Sequence, residues 1–397
     1  MHSDEPFQFV NTHFLTNSSK EKLHQLKLKI DNQTYYCSNL YLKNLSENML
    51  ASFVKEINIE PINPLNIDIF HDILIDFNRR LNCKETTKFE NDVLKMNIVY
   101  SFSLSIPHGI IRIHFLTDYK KNIGYTGYIS SLLHALHTFC NLFTYDYNGL
   151  EIYVCMDDNV RNIELPNNYN GYHDIFNYLC KISAAFNVSG VTWRHEKKII
   201  LTKNEELIKL LYHEMIHFIG LDSELFNVKN YYDWSITKNM MNLYESYTEF
   251  ISVILNSIYI SIHLSYLKNM DMSKIYKKIL YLELNYSLYL TANILKFYGY
   301  NFKTFKDFFS GRGEKKFCPV LIWEYVIIRT QLFLNIDKVL DLVGPSTFII
   351  DQNNKNNIIK LMEIDDNLIN KLSILMEMTK PIKNISYTMI DLNWNLI

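Results

Sequence analysis

The spacing of hydrophobic and polar positions changes twice along this chain of 397 residues and predicts three regions. Residues 1–95 mix charged helical stretches with Asn-rich joints, and no spacing there implies chemistry, so we expect an accessory N-terminal region. At residues 96–116, "MNIVYSFSLSIPHGIIRIHFL" alternates apolar and polar side chains around Pro107, His108 and Gly109. This alternation predicts two β-strands joined by a turn.

Helical and strand patterns then alternate through residues 96–204. Residues 128–143 ("YISSLLHALHTFCNLF") and 173–186 ("HDIFNYLCKISAAF") have helical spacing. Residues 149–158 ("GLEIYVCMDD") are typical of a short buried strand, and residues 189–204 ("SGVTWRHEKKIILTKN") of a strand pair or an extended segment. We therefore expect an α/β subdomain in which helices pack on a small mixed sheet.

Residues 205–397 have mostly helical spacing, so the predicted fold class is α+β: a small mixed β-sheet with helices, followed by a mostly helical C-terminal half. The helix at the junction contains "LIKLLYHEMIHFIGLD", residues 207–222. We expect it to begin near Asn204, with Glu205 and Glu206 in its first turn, where the helix dipole favours acids. It should end near Gly220, a residue suited to a left-handed cap.

Composition and charge exclude several classes of protein. The net charge is −2 and the basic residues are scattered, which argues against nucleic-acid binding. Six cysteines without a C-x-x-C pair argue against a disulfide framework and favour a reducing compartment. The N-terminal residues lack the pattern of a signal peptide, so we expect an intracellular, non-secreted protein. Phe250–Leu267 carries no formal charge, but it reaches barely the length of a membrane span, and a buried core helix is the favoured interpretation.

The junction helix carries the motif H-E-x-x-H. His213 and His217 are four residues apart, so both imidazoles can reach one ion from the same helix face. Zn²⁺ accepts histidine nitrogen in tetrahedral geometry, which leaves room for a third protein ligand and a water. Glu214 could then take a proton from that water as a general base. The alternative is that all three side chains are hydrogen-bonded within a core.

The position of the third ligand distinguishes the families of such enzymes. Metzincins place it ten residues after the first histidine, where this chain has Ser223, which is a poor ligand. Asp222 and Glu224 flank that position out of register. A carboxylate from a later helix remains, and "NLYESYTEF" supplies Glu245 and Glu249 one turn apart at the start of an apolar helix. These acids could also form a solvated first turn. Met240 and Met241 could form a Met-turn, but without a third histidine ligand they are interpreted as residues of the hydrophobic core.

This order of motifs resembles that of the gluzincins, the thermolysin-like and related zinc peptidases in which H-E-x-x-H is followed by E-x-x-x-D or E-x-x-x-E. The resemblance implies that Glu245 binds one zinc ion and that Glu249 orients His213 through a hydrogen bond. The reverse assignment, with Glu249 as the ligand, stays open, as does Asp222.

A closer resemblance covers roughly residues 120–330. "GLEIYVCMDD", "FNVSGVTW", "KKIILTKNEELIKLLYHEMIHFIGLD" and "NLYESYTEFI" follow one another in the order of metallopeptidases encoded by large nucleocytoplasmic DNA viruses. H-E-x-x-H is the individually specific motif among them. The resemblance implies a zinc protease located in the host cytoplasm or the virion.

Further residues are candidates for roles around this site. Tyr325, one turn before Arg329, could donate to the developing oxyanion, and Tyr244 and Tyr247 flank Glu245. The segment "NVSGVTW" could be an edge strand that pairs with an extended peptide, or a hairpin turn at Gly190. Three other histidines are interpreted as structural or solvated, namely His134, His137 and His195.

The favoured hypothesis is a zinc-dependent metalloendopeptidase acting on a protein or peptide substrate, with His213, His217 and Glu245 as ligands and Glu214 as general base. One alternative is a non-catalytic zinc protein, for example a virion component, although such a site has no need of Glu214. Another is a zinc hydrolase of a non-peptide amide or ester, which would use the same residues.

Overall fold

A six-stranded mixed sheet organises the first half of the protein. The computed structural model describes residues 12–27, 40–80, 92–118, 125–157, 189–226, 228, 243–297, 300–310, 322–344, 347–378 and 386–397. The strands are β1 (Asn58–Pro61), β2 (Ile98–Ile106), β3 (Gly109–Thr117), β4 (Leu150–Cys155), β5 (Gly190–Trp193) and β6 (Lys198–Leu201). Their order in the sheet is β1-β2-β3-β4-β6-β5.

The strand pairing explains the sequence patterns. β2 and β3 form the predicted antiparallel pair, in register from Ile98 opposite Thr117 to Ile106 opposite Gly109. Strands β3, β4 and β6 are parallel, which buries β4 on both faces and accounts for its nearly continuous apolar run. β5 pairs antiparallel with β6, which confirms the predicted strand pair, and among the described residues it is the last strand of the sheet.

Helices surround the sheet and fill the C-terminal half, which confirms the predicted fold class. They are α1 (Asn17–Lys27), α2 (Leu40–Phe53), α3 (Ile67–Arg80), α4 (Thr126–Leu142), α5 (Leu207–Ile219), α6 (Leu243–Lys268), α7 (Met272–Phe297), α8 (Phe305–Phe309), α9 (Ile322–Leu334), α10 (Ile336–Val343), α11 (Lys355–Leu361) and α12 (Asp366–Met378). The helix predicted at residues 128–143 is α4, whereas the helix predicted at 173–186 lies outside the described residues. β1 belongs to the predicted N-terminal region, yet it pairs with β2.

The long helix α6 lies in the core. Its residues Leu243–Leu267 are long and apolar enough to cross a membrane, by length and composition alone. Within the protein, however, 78% of the most apolar window is buried, as in the core helix of a globular protein. Its apolar side chains share one hydrophobic core with those of α4, α5, α7 and α9.

A segment of residues 386–392, here called the C-terminal segment, passes through the interior. Each of its residues is at most 8% exposed. Leu392 forms a β-bridge with Leu15, and the Thr16 N–H donates to the Asp391 carbonyl (3.0 Å). Side chains also form hydrogen bonds with the backbone of this segment. For example, Lys22 Nζ donates to the Thr388 carbonyl (2.7 Å).

Candidate metal centre

Helix α5 follows β6 and carries the motif between the sheet and α6. Gly220 ends the helix in the left-handed conformation (φ +75°), and its N–H donates to the carbonyls of Ile216 and His217, as predicted for a glycine cap. The predicted start is wrong by three residues, because α5 begins at Leu207. Glu206 precedes it in a left-handed conformation (φ +59°), and its carboxylate accepts from the Thr388 N–H (2.5 Å) in the C-terminal segment.

Three ligand atoms converge on one side of α5. The Nε2 atoms of His213 and His217 are 3.1 Å apart, and Glu245 Oε2 lies 3.2 Å from the first and 3.4 Å from the second. Ligand atoms at 2.0–2.1 Å from a tetrahedral zinc ion are roughly 3.3 Å from one another. The spacing of these atoms therefore fits Zn²⁺. Among the described residues, His213, His217 and Glu245 form a group of possible ligands whose atoms all lie within 4.8 Å of one another, close enough to hold a metal ion.

The ligand cluster is largely buried, and Glu245 is its most exposed member. The side chains of His213 and His217 are 8% and 13% exposed, while that of Glu245 is 22% exposed, which leaves an accessible side for a water or a substrate. Burial opposes ionisation of Glu245, but the two histidines hold the pKa of its carboxyl well below the usual range. Burial likewise opposes protonation of His217, but Glu245 and Asp222 raise the pKa of that imidazole well above its ordinary value.

Each imidazole has a carboxylate at its other nitrogen. His217 Nδ1 lies 2.6 Å from Oδ2 of Asp222, a fully buried residue that also accepts from Thr248 Oγ1 (3.3 Å). His213 Nδ1 lies 3.2 Å from Glu249 Oε1, within ion-pair distance but not aligned as a hydrogen bond. Such partners fix the ring orientation and tautomer of histidine ligands.

Glu249 is itself held by two buried cations. Lys209 Nζ contacts its Oε1, and Arg329 Nη1 lies 3.3 Å from its Oε2. Burial alone would raise the pKa of Glu249, but the Lys209 ammonium, together with His213 and Arg329, holds that pKa well below its ordinary value. The Glu249 carboxylate is thus occupied by these partners, whereas Glu245 faces both Nε2 atoms.

The Glu214 side chain packs against the edge strand β5. The Thr192 hydroxyl lies 2.8 Å from Glu214 Oε2 and donates to it. A Cβ atom at Gly190 would approach Glu214 Oε1 to 2.6 Å, so the absence of a side chain there admits the carboxylate. Glu214 is 4% exposed, and burial raises the pKa of its carboxyl. A raised pKa suits a group that must exchange protons near neutral pH.

The remaining candidates lie around this cluster or away from it. Tyr325 on α9 is partly buried, with its ring 6.1 Å from that of Tyr387. The ring of Tyr244 lies edge-on to His217 at 6.0 Å, and its pKa is raised to about 12 by burial and by Glu245. Tyr247 instead donates to the Phe348 carbonyl (2.8 Å).

The three other candidate histidines lie outside the ligand cluster. His134 Nδ1 is 3.3 Å from the Tyr259 hydroxyl, and His137 contacts Asn141 within α4 (3.0 Å). His195 is exposed in the turn between β5 and β6. Met240 and Met241 lie outside the described residues.

The sequence analysis does not assign the supporting roles of four residues, namely Asp222, Thr192, Lys209 and Arg329. Lys209 had a detectable signal, because a lysine in an apolar helix four residues before His213 must share the face of that histidine. The sequence offers Asp222 as an alternative ligand and not as the partner of His217. It distinguishes Arg329 only by its spacing from Tyr325.

The fold and the site together define an α+β protein with a His–His–Glu cluster built on two adjacent helices and a glutamate beside it. The chain is 41% identical over 391 residues to "Uncharacterized protein R210" of Acanthamoeba polyphaga mimivirus, an alignment that covers 98% of this chain and 100% of R210. It belongs to the same family as that giant-virus protein. Neither a protein-family model nor a solved structure matches the chain.

Proposed function

We propose that this protein is a zinc-dependent metallopeptidase that binds one Zn²⁺ through His213, His217 and Glu245. The observation that carries the proposal is the spacing of 3.1–3.4 Å among the three ligand atoms, with Glu214 on the adjoining face of the same helix. A zinc ion at this position would polarise the scissile carbonyl and lower the pKa of the attacking water.

Glu214 is the proposed general base and general acid. It accepts a proton from the attacking water and returns it to the amine that leaves. Thr192 holds Oε2 of its carboxylate through the 2.8 Å hydrogen bond, and Oε1, which lies beside Gly190, is the proposed proton acceptor. The burial that raises its pKa brings proton uptake and release closer to neutral pH.

The edge strand β5 supports a peptide as the substrate. Within the described residues, β5 pairs with β6 along one edge, and its other edge ends the sheet. An extended peptide could add to that edge by main-chain hydrogen bonds, next to Thr192 and Glu214. A protein or peptide substrate is therefore proposed in preference to a non-peptide amide or ester.

Tyr325 is the proposed donor to the oxyanion. It lies one turn before Arg329, and side chains four residues apart share a face of a helix. Because Arg329 reaches Glu249 on α6, this face of α9 is directed toward the helix that carries Glu245. Removal of one such donor costs about 10²–10³-fold in kcat, so Tyr325→Phe should lose activity on this scale and keep its zinc.

The viral relative supports a place of action in an infected cell. Because R210 comes from a mimivirus, we propose that this chain is also viral and works in the host cytoplasm or the virion. Its fractionation with purified particles or with cytosol would distinguish these two locations.

The test measures zinc and hydrolysis separately. Zinc per chain should be one in the wild type and in Glu214→Gln, and should be lost in His217→Ala and Glu245→Ala. Hydrolysis of an unfolded protein substrate should occur in the wild type and vanish in Glu214→Gln. Absence of zinc from the wild type after metal is added back would refute the metal centre. One zinc without hydrolysis of peptides by the wild type would refute the peptidase and favour a non-catalytic zinc protein.

A further inference from the structure

Three charged side chains are buried together beneath the candidate metal centre. Lys209, Glu249 and Arg329 are each at most 2% exposed. Lys209 contacts Oε1 of Glu249, and Arg329 Nη1 approaches Oε2 at 3.3 Å, so each carboxylate oxygen has its own cation. Buried ion pairs contribute little net stability, because desolvation offsets their attraction, and apolar side chains of similar volume often serve as well. Their presence therefore suggests a role other than stability.

These charged side chains are connected to His213 of the ligand cluster. Lys209 lies one turn before His213 on α5, and the oxygen that it contacts is also 3.2 Å from His213 Nδ1. Glu249 comes from α6 and Arg329 from α9. The carboxylate is thus fixed from two sides by different helices, and rotation toward the ligand cluster would separate it from both cations.

The cations are fixed in turn by the C-terminal segment and α7. Arg329 Nη1 donates to the Tyr387 carbonyl (2.8 Å), and its Nη2 donates to Ser287 Oγ (2.9 Å). Lys209 Nζ lies 5.2 Å from the centre of the Tyr387 ring. Both cations therefore have little freedom to follow Glu249 if it moved.

We propose that Lys209 and Arg329 are positioning residues of the metal centre, which hold the Glu249 carboxylate at His213 Nδ1 and out of the coordination shell. In this way they fix the imidazole whose Nε2 faces the metal. The inference rests on the metal centre of the proposed function and adds residues that touch neither metal nor substrate.

The first test compares zinc affinity in two lysine variants. Lys209→Met removes the ammonium next to Glu249, and Lys22→Met is the matched control, because Lys22 is also buried (5% exposed) but donates to the Thr388 carbonyl. Dissociation constants are measured by competition with a chromogenic chelator. Outer partners of metal ligands contribute about 10–100-fold in affinity, so Lys209→Met should weaken zinc binding on this scale and Lys22→Met should not. The visible spectrum of the Co²⁺-loaded protein should change in the first variant alone. Wild-type affinity in a folded Lys209→Met would overturn the inference.

A comparison of Glu249→Gln with the double variant Lys209→Met/Glu249→Gln covers the case in which Lys209→Met fails to fold. Lys209→Met with Glu249→Gln removes both charges and leaves no unpaired carboxylate in the core. If Lys209 acts through Glu249, the double variant should bind zinc no more weakly than Glu249→Gln alone. Weaker zinc binding by the double variant than by Glu249→Gln would contradict this role while leaving the metal centre intact. Failure of the wild type to bind zinc would instead refute the proposed function itself.

Discussion

Oδ2 of Asp222 lies 2.6 Å from Nδ1 of His217, and the aspartate is fully buried. The left-handed turn at Gly220 reverses the chain after α5 and brings this carboxylate back to a histidine five residues earlier. Because a histidine that binds metal through Nε2 carries its proton on Nδ1, Asp222 selects the tautomer that the ligand cluster needs.

Asp222→Ala should therefore weaken zinc binding by about 10–100-fold, because His217 loses the acceptor that orients its ring. The measurement is a chelator competition on purified protein. Glu224→Ala is the control: Glu224 lies two residues further on, where it pairs with Lys355 at the surface (3.4 Å), and its loss should leave zinc affinity unchanged. Equal affinities in all three proteins would show that Asp222 has no role at the metal centre.

Gly190→Ala should abolish hydrolysis while zinc is retained. The added Cβ would lie 2.6 Å from Glu214 Oε1, so the carboxylate must move from its place against β5. We expect a fall in kcat/KM of about 10²-fold or more, since general acid–base catalysis contributes about 10²–10⁴-fold. Gly149→Ala is a suitable control, because its Cβ would meet nothing within 4 Å and only the φ of +79° is strained. An active Gly190→Ala would mean that Glu214 is not confined by this strand.

Zinc should stabilise the protein, and more so at higher pH. A ligand at about 1,000 times its Kd adds about 4 kcal/mol to the free energy of unfolding, so zinc should raise the melting temperature of the wild type and not that of His217→Ala. Glu245 and Asp222 raise the pKa of His217, and zinc must displace that proton. Zinc affinity should consequently fall as pH decreases through the raised pKa. A pH-independent affinity would contradict a metal site that includes His217.

Asp391 in the C-terminal segment should make the protein less stable as pH rises. Burial and the nearby Glu206 raise the pKa of its carboxyl to about 7. The unfolded chain ionises this group near its ordinary pKa, whereas the folded protein keeps it neutral, so stability present below about pH 4 is lost progressively up to about pH 7.

Asp391→Asn should remove that dependence, with a gain on the order of a few kcal/mol at pH 8 and little change at pH 4. Urea unfolding at both pH values measures it. Asp341→Asn on the exposed side of α10 serves as the control. A variant that parallels the wild type across the range would show that Asp391 ionises normally.

The features that could be predicted from the sequence are those that depend on the spacing of residues close together in the chain. Alternation over β2 and β3 and the four-residue interval of His213 and His217 are properties of one strand pair and one helix, which short-range geometry determines. The start of α5 was misplaced because Glu206 binds Thr388, a residue 182 positions away. Arg329 meets Glu249 across 80 residues, and no periodicity links them. Such contacts depend on how elements assemble, and a single sequence does not encode their proximity in its pattern.

The position of the C-terminal segment in the sequence determines when the candidate metal centre acquires its supports during protein synthesis. Tyr387 holds Arg329 through its carbonyl, and Thr388 binds the glutamate that precedes α5. Both residues are translated after every histidine and glutamate of the centre. A nascent chain still in the ribosome therefore presents H-E-x-x-H without these outer supports, and the supports are added only after residue 388 has emerged. Biosynthesis itself thus delays completion of the candidate site until the C-terminal segment has been made.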